Sequence, residues 1–410
     1  MFAEVNRLLG VRATGMGASG LLRLPFLALA FLFPAGLAAA DVDPIVFAQA
    51  GHEHFYNVEY DEAIADFEKA VAADPQNPLF YNYLANAYLF REMRRLGLLD
   101  GNLYDASNGF LESKKAEPNP AEIQRINRLL DRVRGMCEAR LKKNPRDVDA
   151  LYALGVTHAI VGSMKFTIDK SWTEALRAGG RANEYHVKVL ALDPNYHDAK
   201  LVIGMYQYIV GSIPRSVKWL AFLLGYHGSR TRGVELMQEA MTKGRNTTSA
   251  AAFLLSVVYA REKKHEYSRR LLRPLSEYYP RNPLVVLEIG RSYLREGNQK
   301  KALEVYVQVS RDMEAGKPGY HKLPRERLWY QIGVLYQRQG QFPEALEAYG
   351  RVAEQSSDGL LKAYTGLRRG EIYIAQNRME HARAEYQRVA AMPYEEARRQ
   401  AEVRLRSLSH

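Results

Sequence analysis

Ten histidines are the side chains best suited to bind a metal ion, and their spacing does not favour a metal centre. The closest pair is His52 and His54, on a predicted helix. Residues two apart on a helix point about 200° apart, so these imidazoles cannot bind one ion from the same face. His54 and His158 both stand where the repeat pattern described below usually has tyrosine. We therefore expect packed or rim histidines and predict no metal site.

Motifs for catalysis are also missing. The sequence has no His-Glu-x-x-His, no Walker loop and no Gly-x-Ser-x-Gly. Cys137 follows Met136 in a predicted buried helix without a matched base, so we interpret it as a core residue rather than a nucleophile. Acidic residues are plentiful, and their spacing nominates no acid/base couple. We predict a non-enzymatic protein with no catalytic residue and no cofactor; an enzyme hidden in a helical array has no motif in its favour.

The composition is that of a soluble globular protein. Of 410 residues, 47% are hydrophobic and 25% charged, and a single cysteine excludes an internal disulfide framework. The net charge of +11 comes from Lys and Arg scattered as pairs such as Arg269-Arg270. Such pairs are typical of solvated helix faces, so we predict no nucleic-acid partner. In an exported protein, a basic charge more often meets an anionic membrane face or cell-wall polymer.

The N-terminal segment has the pattern of a secretory signal peptide. Residues 1–23 carry three arginines and one glutamate, and the uncharged run Leu24–Leu37 is followed by three alanines and Asp41. A membrane anchor is the alternative, but a bilayer core needs about 20 apolar residues. We predict cleavage near Ala40 and a periplasmic or secreted chain, with association with a membrane as the further expectation.

A repeated spacing runs through the chain. In four places a glycine is followed 12 residues later by an alanine and 4 residues after that by an aromatic residue. The sets are Gly51/Ala63/Phe67, Gly290/Ala302/Tyr306, Gly333/Ala345/Tyr349 and Gly370/Ala382/Tyr386. Glycine and alanine at these steps would let two antiparallel helices approach closely, with the aromatic residues filling the gap to the neighbouring pair. X-Pro pairs such as Asp74-Pro75 and Asn282-Pro283 would end one helix or begin the next.

These residues resemble the tetratricopeptide repeat, a 34-residue helix–turn–helix unit. The resemblance implies an all-α fold, a right-handed superhelical solenoid. We divide the chain into the signal segment 1–40, repeats with insertions over 41–200, an apolar atypical repeat over 201–247 and a regular array over 248–410. The insertions are expected near 94–108 and 162–170, and a capping helix is expected over Tyr394–Leu408.

A second resemblance covers residues 193–240. They are similar to a eukaryotic family of tetratricopeptide proteins at organelle outer membranes, which includes the inclusion-body clearance protein. The matching residues are Gly204, Tyr208, Ser212, Pro214, Leu220, Leu224, Gly225, Tyr226, Gly228, Ser229 and Arg230. The resemblance implies a structural element and membrane association, but no reaction; the signal segment is a departure from that family.

The apolar stretch 201–226 allows two interpretations. It is two buried helices of an atypical repeat, or a hairpin that dips into a membrane surface. The second interpretation places Arg215, Lys218, Trp219 and Leu220 at an anionic membrane surface. It would make the protein a membrane-associated carrier or adaptor for a lipid or apolar ligand. The spacing of Gly233, Met237 and Ala240 favours the first.

In tetratricopeptide arrays, partners usually bind the concave face, which the first helix of each repeat lines. The inward positions here are apolar, with Tyr and Arg between them. The candidate partner-binding residues are Phe253, Val257, Leu287, Arg291, Arg327, Tyr330 and Val334. This wall suits an amphipathic helix or an extended apolar segment, or else it packs on itself. The leading hypothesis is an exported scaffold that binds a protein or peptide partner.

Overall fold

A computed structural model describes residues 43–99, 117–214, 216 and 225–408. These residues form seventeen α-helices, one 3-10 turn at Tyr320–Lys322 and no strand, so the all-α prediction is confirmed. The helices, in chain order, are α1 (Pro44–Tyr56), α2 (Tyr60–Ala73), α3 (Pro78–Arg95), α4 (Pro120–Lys143), α5 (Val148–Thr167), α6 (Trp172–Leu192), α7 (Ala199–Gly211), α8 (Arg230–Lys243), α9 (Thr248–Arg261), α10 (His265–Tyr278), α11 (Pro283–Arg295), α12 (Gln299–Glu314), α13 (Arg325–Arg338), α14 (Phe342–Gln355), α15 (Gly359–Ala375), α16 (Met379–Ala390) and α17 (Glu395–Ser407).

The first sixteen helices pack in consecutive pairs, which we call hairpins, and each hairpin packs on the next. The last helix, α17, packs on α15 and α16 and lies within the segment where we expected a capping helix. No hairpin can bury its apolar face alone, so stacking builds a series of apolar clusters within and between neighbouring hairpins. The result is a helical solenoid.

Proline and asparagine set the helix boundaries where the sequence predicted them. Helix α2 ends one residue before Asp74, and α11 begins at Pro283. The Asn282 side chain accepts a hydrogen bond from the Leu284 N–H at 3.1 Å, so it caps the helix that the proline opens. Asn77 and Asn119 cap α3 and α4 in the same way. These short polar side chains satisfy N–H groups that the first turn of a helix leaves unpaired.

The glycine–aromatic spacing corresponds to a direct contact within each hairpin. A Cβ atom at Gly333 would lie 2.6 Å from the ring of Tyr349, and the other three sets give 2.3–2.6 Å. We expected the aromatic residue to fill the gap to the neighbouring pair, and this is only part of its role. Each ring first covers the glycine of its own hairpin, and Tyr349 also shares a buried cluster with Ile372 of the next.

The third hairpin contains a fifth copy of this contact, which the sequence pattern missed. A Cβ at Gly155 would lie 2.3 Å from the imidazole of His186, which is fully buried four residues after Ala182. The spacing from Gly155 to Ala182 is longer than in the other copies because α5 and α6 are 20 and 21 residues long. The insertion expected near 162–170 is thus largely helical, since α5 continues to Thr167. The other expected insertion lies mostly outside the described residues.

Candidate functional site

The seven candidate partner-binding residues all lie on first helices of hairpins, namely α9, α11 and α13. First helices of successive hairpins also contact one another, as α3 does with α5, α5 with α7 and α13 with α15. Elements on the inside of a curve approach most closely, so these helices form the concave side of the solenoid. We call this surface the inner face.

The seven side chains differ in how open they are. Arg327 is exposed, and Val257, Tyr330 and Val334 are partly exposed. Leu287 is buried in the core of the neighbouring hairpins. Arg291 is partly exposed and lies 3.4 Å from the carboxylate of Glu288, which is itself buried. Burial raises the pKa of Glu288, although Arg295 and Arg291 oppose that shift. Open candidates therefore concentrate on α13.

Phe253 packs against a residue of the first hairpin, which is distant in the sequence. Its ring stacks on Tyr56 of the first hairpin, with centroids 5.7 Å apart and planes 7° apart. Tyr279 packs against the same tyrosine at 5.1 Å. Burial raises the pKa of Tyr56, because the ionised phenolate would lose its hydration. Phe253 thus makes an intramolecular contact across the inner face.

Polar groups around Arg281 complete this contact. The Arg281 guanidinium donates to both oxygens of Glu59, at 2.8 and 3.0 Å, and to Glu53 at 3.2 Å. The Arg281 N–H donates to the Asn57 side chain at 3.0 Å. Burial alone would raise the pKa of Glu59, but hydrogen bonds from Arg281 and His54 hold it below its usual value. A two-pronged arginine–carboxylate pair is a strong and directional contact.

We call this set of residues the closure contact: Glu53, Tyr56, Asn57 and Glu59 on one side, and Phe253, Tyr279, Arg281 and Asn282 on the other. Asn282 donates to the Tyr56 carbonyl oxygen at 2.7 Å. The turn between α1 and α2 holds Val58 at φ 63°, a conformation that β-branched residues rarely adopt. On α9, Phe253 therefore packs against the first hairpin while Val257 stays partly exposed, and α13 carries the exposed Arg327.

Beside the open part of the inner face lies a polar cluster that sequence reasoning missed. Glu371 on α15 accepts from Arg368 at 3.0 Å, from Gln337 at 3.2 Å and from Arg404 of the capping helix at 2.7 Å. Arg368 also lies beside Tyr330; burial alone would lower the pKa of the guanidinium, but Tyr330 helps to raise it. Glu371 directly follows Gly370 of the repeat pattern, just as Val334 follows Gly333. Extending the inward positions by one more repeat would have found it.

His52, His54 and Cys137 pack against or hydrogen-bond other residues of the protein. His52 packs against Tyr83 at 4.4 Å, and burial lowers its pKa to about 4. His54 hydrogen-bonds the Glu59 carboxylate at 2.7 Å. Cys137 is buried, and burial raises its pKa to about 11, so the thiolate is scarce at neutral pH. Within the described part of the chain, no three His, Cys, Asp or Glu side chains group as metal ligands would.

The membrane-surface candidates Arg215, Lys218, Trp219 and Leu220 lie outside the described residues, as does the signal segment 1–40. Of the flanking segments, α7 and α8 pack closely, with Gly204 against Gly233 and Met237. That contact agrees with a repeat-like hairpin on either side of the undescribed stretch. Every helix in the described ranges is too short or too polar to span a bilayer.

Comparison with known families identifies the architecture. A profile described as TPR repeat matches residues 51–89, and one described as Tetratricopeptide repeat matches residues 330–400. The chain carries tetratricopeptide repeats. A profile of Iml2/Tetratricopeptide repeat protein 39 matches residues 198–358, so the second resemblance is confirmed and extends well beyond residue 240. Tetratricopeptide repeats indicate a protein–protein interaction scaffold.

Solved structures with similar chains include three helical-repeat proteins. A chain of the APC/C hetero-tetramer Cut9-Hcn1 is 12% identical, with 89% of this chain and 55% of that chain covered and a TM-score of 0.41. This chain therefore spans about half the length of that one. Yeast Tom70 is 14% identical, with coverage of 89% and 95% and a TM-score of 0.34. A tetratricopeptide protein from Parabacteroides merdae is 12% identical, with coverage of 80% and 98% and a TM-score of 0.30. No curated protein sequence matches the chain.

Proposed function

We propose that this protein is an exported, non-enzymatic scaffold that binds a protein or peptide along the inner face formed by α11, α13 and α15. The observation that carries the proposal is the contrast between the two parts of the inner face. On α9 the partly exposed Phe253 is occupied by a stacking contact with Tyr56 of the first hairpin, whereas α13 carries the exposed Arg327 beside the partly exposed Tyr330 and Val334.

The chemistry of this open region suggests the kind of partner. Val334 and the ring of Tyr330 offer apolar contact, while Arg327, Arg368 and Glu371 surround them with charge. Tyrosine and arginine are the residues that most often dominate binding energy at interfaces. An amphipathic helix, or an extended segment with alternating apolar and acidic residues, matches that arrangement.

A matched pair of double variants tests the proposal. We expect Arg327→Glu with Tyr330→Ala to weaken partner binding at least tenfold, because two central contacts are lost. The control is Tyr267→Ala with Arg270→Glu, which changes the same residue types at the same spacing on the second helix α10, where both side chains are exposed. Affinity purification from envelope extracts, compared by mass spectrometry, provides the measurement. If the inner-face double variant and the control double variant retain the partner equally, the inner-face proposal is contradicted.

The localisation proposal rests on the sequence of residues 1–40 alone. Their basic residues, apolar run and small residues before Asp41 favour export and removal of the segment. The protein would then be periplasmic or secreted. The mass of the protein purified from its native host checks this, because cleavage after Ala40 leaves Asp41 as the first residue.

A membrane-surface role for residues 201–226 is the second candidate function. It is supported by Arg215, Lys218 and Trp219 beside apolar residues, a composition suited to an anionic membrane surface. If it holds, the mature chain co-sediments with anionic liposomes and Trp219→Glu with Leu220→Glu abolishes the effect. If the unaltered chain does not co-sediment with the liposomes, the membrane-surface function is wrong.

A further inference from the structure

A cavity of about 250 Å³ lies between α4 and α6, over α5. Helices α4 and α6 are second helices of their hairpins, and the cavity shares no residue with the partner-binding candidates. Arg134 of α4, His158 and Lys165 of α5, and Arg177 and Arg181 of α6 line it. Four of these five side chains are cationic at neutral pH.

The four cations differ in how well carboxylates neutralise them. Lys165 pairs with Asp169 at 2.9 Å and with Glu174, the one acidic residue of the lining, at 3.0 Å. Arg134 pairs with the exposed Asp131 at 2.9 Å, yet its Nε atom is buried without a hydrogen-bond partner.

Arg177 and Arg181 are exposed to solvent and have no carboxylate partner among the described residues. In the part of the chain that the structure describes, neither guanidinium has a carboxylate within 4 Å. The two residues are four apart on α6, so their side chains project from the same face of the helix. Like charges at this spacing repel each other and weaken a helix by a few tenths of a kcal/mol. A bound anion that bridges them would remove that repulsion.

The remaining residues that line the cavity carry no negative charge to pair with the two arginines. His158 stacks on Tyr185, with ring centroids 5.6 Å apart and planes 8° apart. Burial lowers the pKa of His158, as do the charges of Arg181 and Arg134. The floor is formed by Val161 and Ala178, which offer no acceptor from their side chains.

We propose that this cavity binds a phosphate monoester group, with Arg177 and Arg181 as its principal donors and Arg134 as a third. Guanidinium groups match the geometry of phosphate oxygens by donating two parallel hydrogen bonds. A phosphate monoester carries close to two negative charges at neutral pH, which balances the two unpaired arginines. A singly charged carboxylate would leave one of them uncompensated. The group could belong to a soluble phosphorylated molecule or to a lipid headgroup.

The first experiment titrates the full chain with inorganic phosphate by calorimetry at constant ionic strength. We expect saturable binding that Arg177→Gln with Arg181→Gln weakens at least tenfold. The control, Arg398→Gln with Arg399→Gln, removes the same charge from two exposed arginines of α17 and should bind like the unaltered chain. Equal binding by both variants, or none by the unaltered chain, would overturn the proposal. Acetate binding as tight as phosphate binding would also overturn it.

The imidazole of His158 gives a second readout that non-specific ion binding would not move. The charged groups facing it are Arg134 from α4 and Arg181 and Glu184 from α6. Bound phosphate adds negative charge beside the ring, so the pKa of His158 measured by NMR should rise in the unaltered chain. It should not rise in the Arg177→Gln/Arg181→Gln variant. A pKa that phosphate leaves unchanged in the unaltered chain contradicts the site.

A vesicle arm separates the two sources of the phosphate group. Vesicles of phosphatidylcholine with phosphatidic acid present a phosphate monoester, whereas phosphatidylglycerol presents only a diester. Binding to the phosphatidic acid vesicles alone, lost in the Arg177→Gln/Arg181→Gln variant, supports a headgroup. Binding to inorganic phosphate without vesicle binding supports a soluble ligand. Equal binding to both anionic vesicles in the variant and the unaltered chain contradicts the site.

Discussion

Gly333→Ala lowers the free energy of unfolding by about 1–3 kcal/mol, although alanine is the better helix former. A Cβ at this position would lie 2.6 Å from Tyr349, and that ring is fully buried, so any movement of it disturbs the packing around it. The helices must therefore separate, or the tyrosine must leave its preferred rotamer. Urea denaturation, together with hydrogen exchange of residues 325–355, measures the loss.

Gly350→Ala is the control within the same hairpin. Gly350 also lies in a helix, but nothing stands within 4 Å of a Cβ there. This variant should be more stable by up to about 1 kcal/mol, because alanine restricts the unfolded chain. A cycle with Tyr349→Ala isolates the contact, since Gly333→Ala should cost almost nothing once the ring is gone. Equal stability of the two glycine variants would show that the ring does not set the helix spacing.

Arg281→Ala opens the closure contact and exposes the first hairpin, at a cost of about 1.5–3 kcal/mol for the lost charged hydrogen bonds. The guanidinium contacts Glu59 and Glu53, and both carboxylates would lose their partner on the far side of the inner face. We expect faster hydrogen exchange in residues 44–73 and a larger radius of gyration in small-angle scattering. Residues 325–407 should keep their protection.

Charge reversal makes this second prediction specific. Arg281→Glu should open the contact further, and adding Glu59→Arg should restore protection by pairing the exchanged charges. Arg270→Ala is the control, because Arg270 is exposed and contacts only residues of its own helix, Glu266 at 3.4 Å and the Tyr267 ring at 5.5 Å among the described residues. Loss of protection by Arg270→Ala to the same extent as Arg281→Ala would indicate a general stability effect. Opening would also uncover Phe253, which Tyr56 now covers.

Local sequence patterns predicted much of the fold. Gly290 and Tyr306 are 16 residues apart, and that interval spans one turn and the two half-helices beside it, so the contact follows from chain length and helix geometry. Helix boundaries at Asp74 and Pro283 follow from the restricted φ of proline and from side-chain capping. The pattern missed His186 because the long helices α5 and α6 lengthen the sequence interval between His186 and Gly155. The two residues are nevertheless in contact.

The candidate site was predictable only in part. Inward positions on α13 follow from the repeat register, and Arg327 is exposed there as expected. Phe253 has the same register, yet its exposure depends on Tyr56, almost 200 residues earlier in the chain. The cavity beside α5 likewise needs three helices whose mutual distances no local pattern specifies.

The sequence by itself determined that helical hairpins form and stack, because small residues at fixed steps permit close packing between neighbours. Only the tertiary structure decided how strongly the stack curves, since curvature is the sum of small rotations between hairpins. That curvature brings Arg281 to Glu59 and closes one part of the inner face. It also determines which part of the same face stays open for a partner.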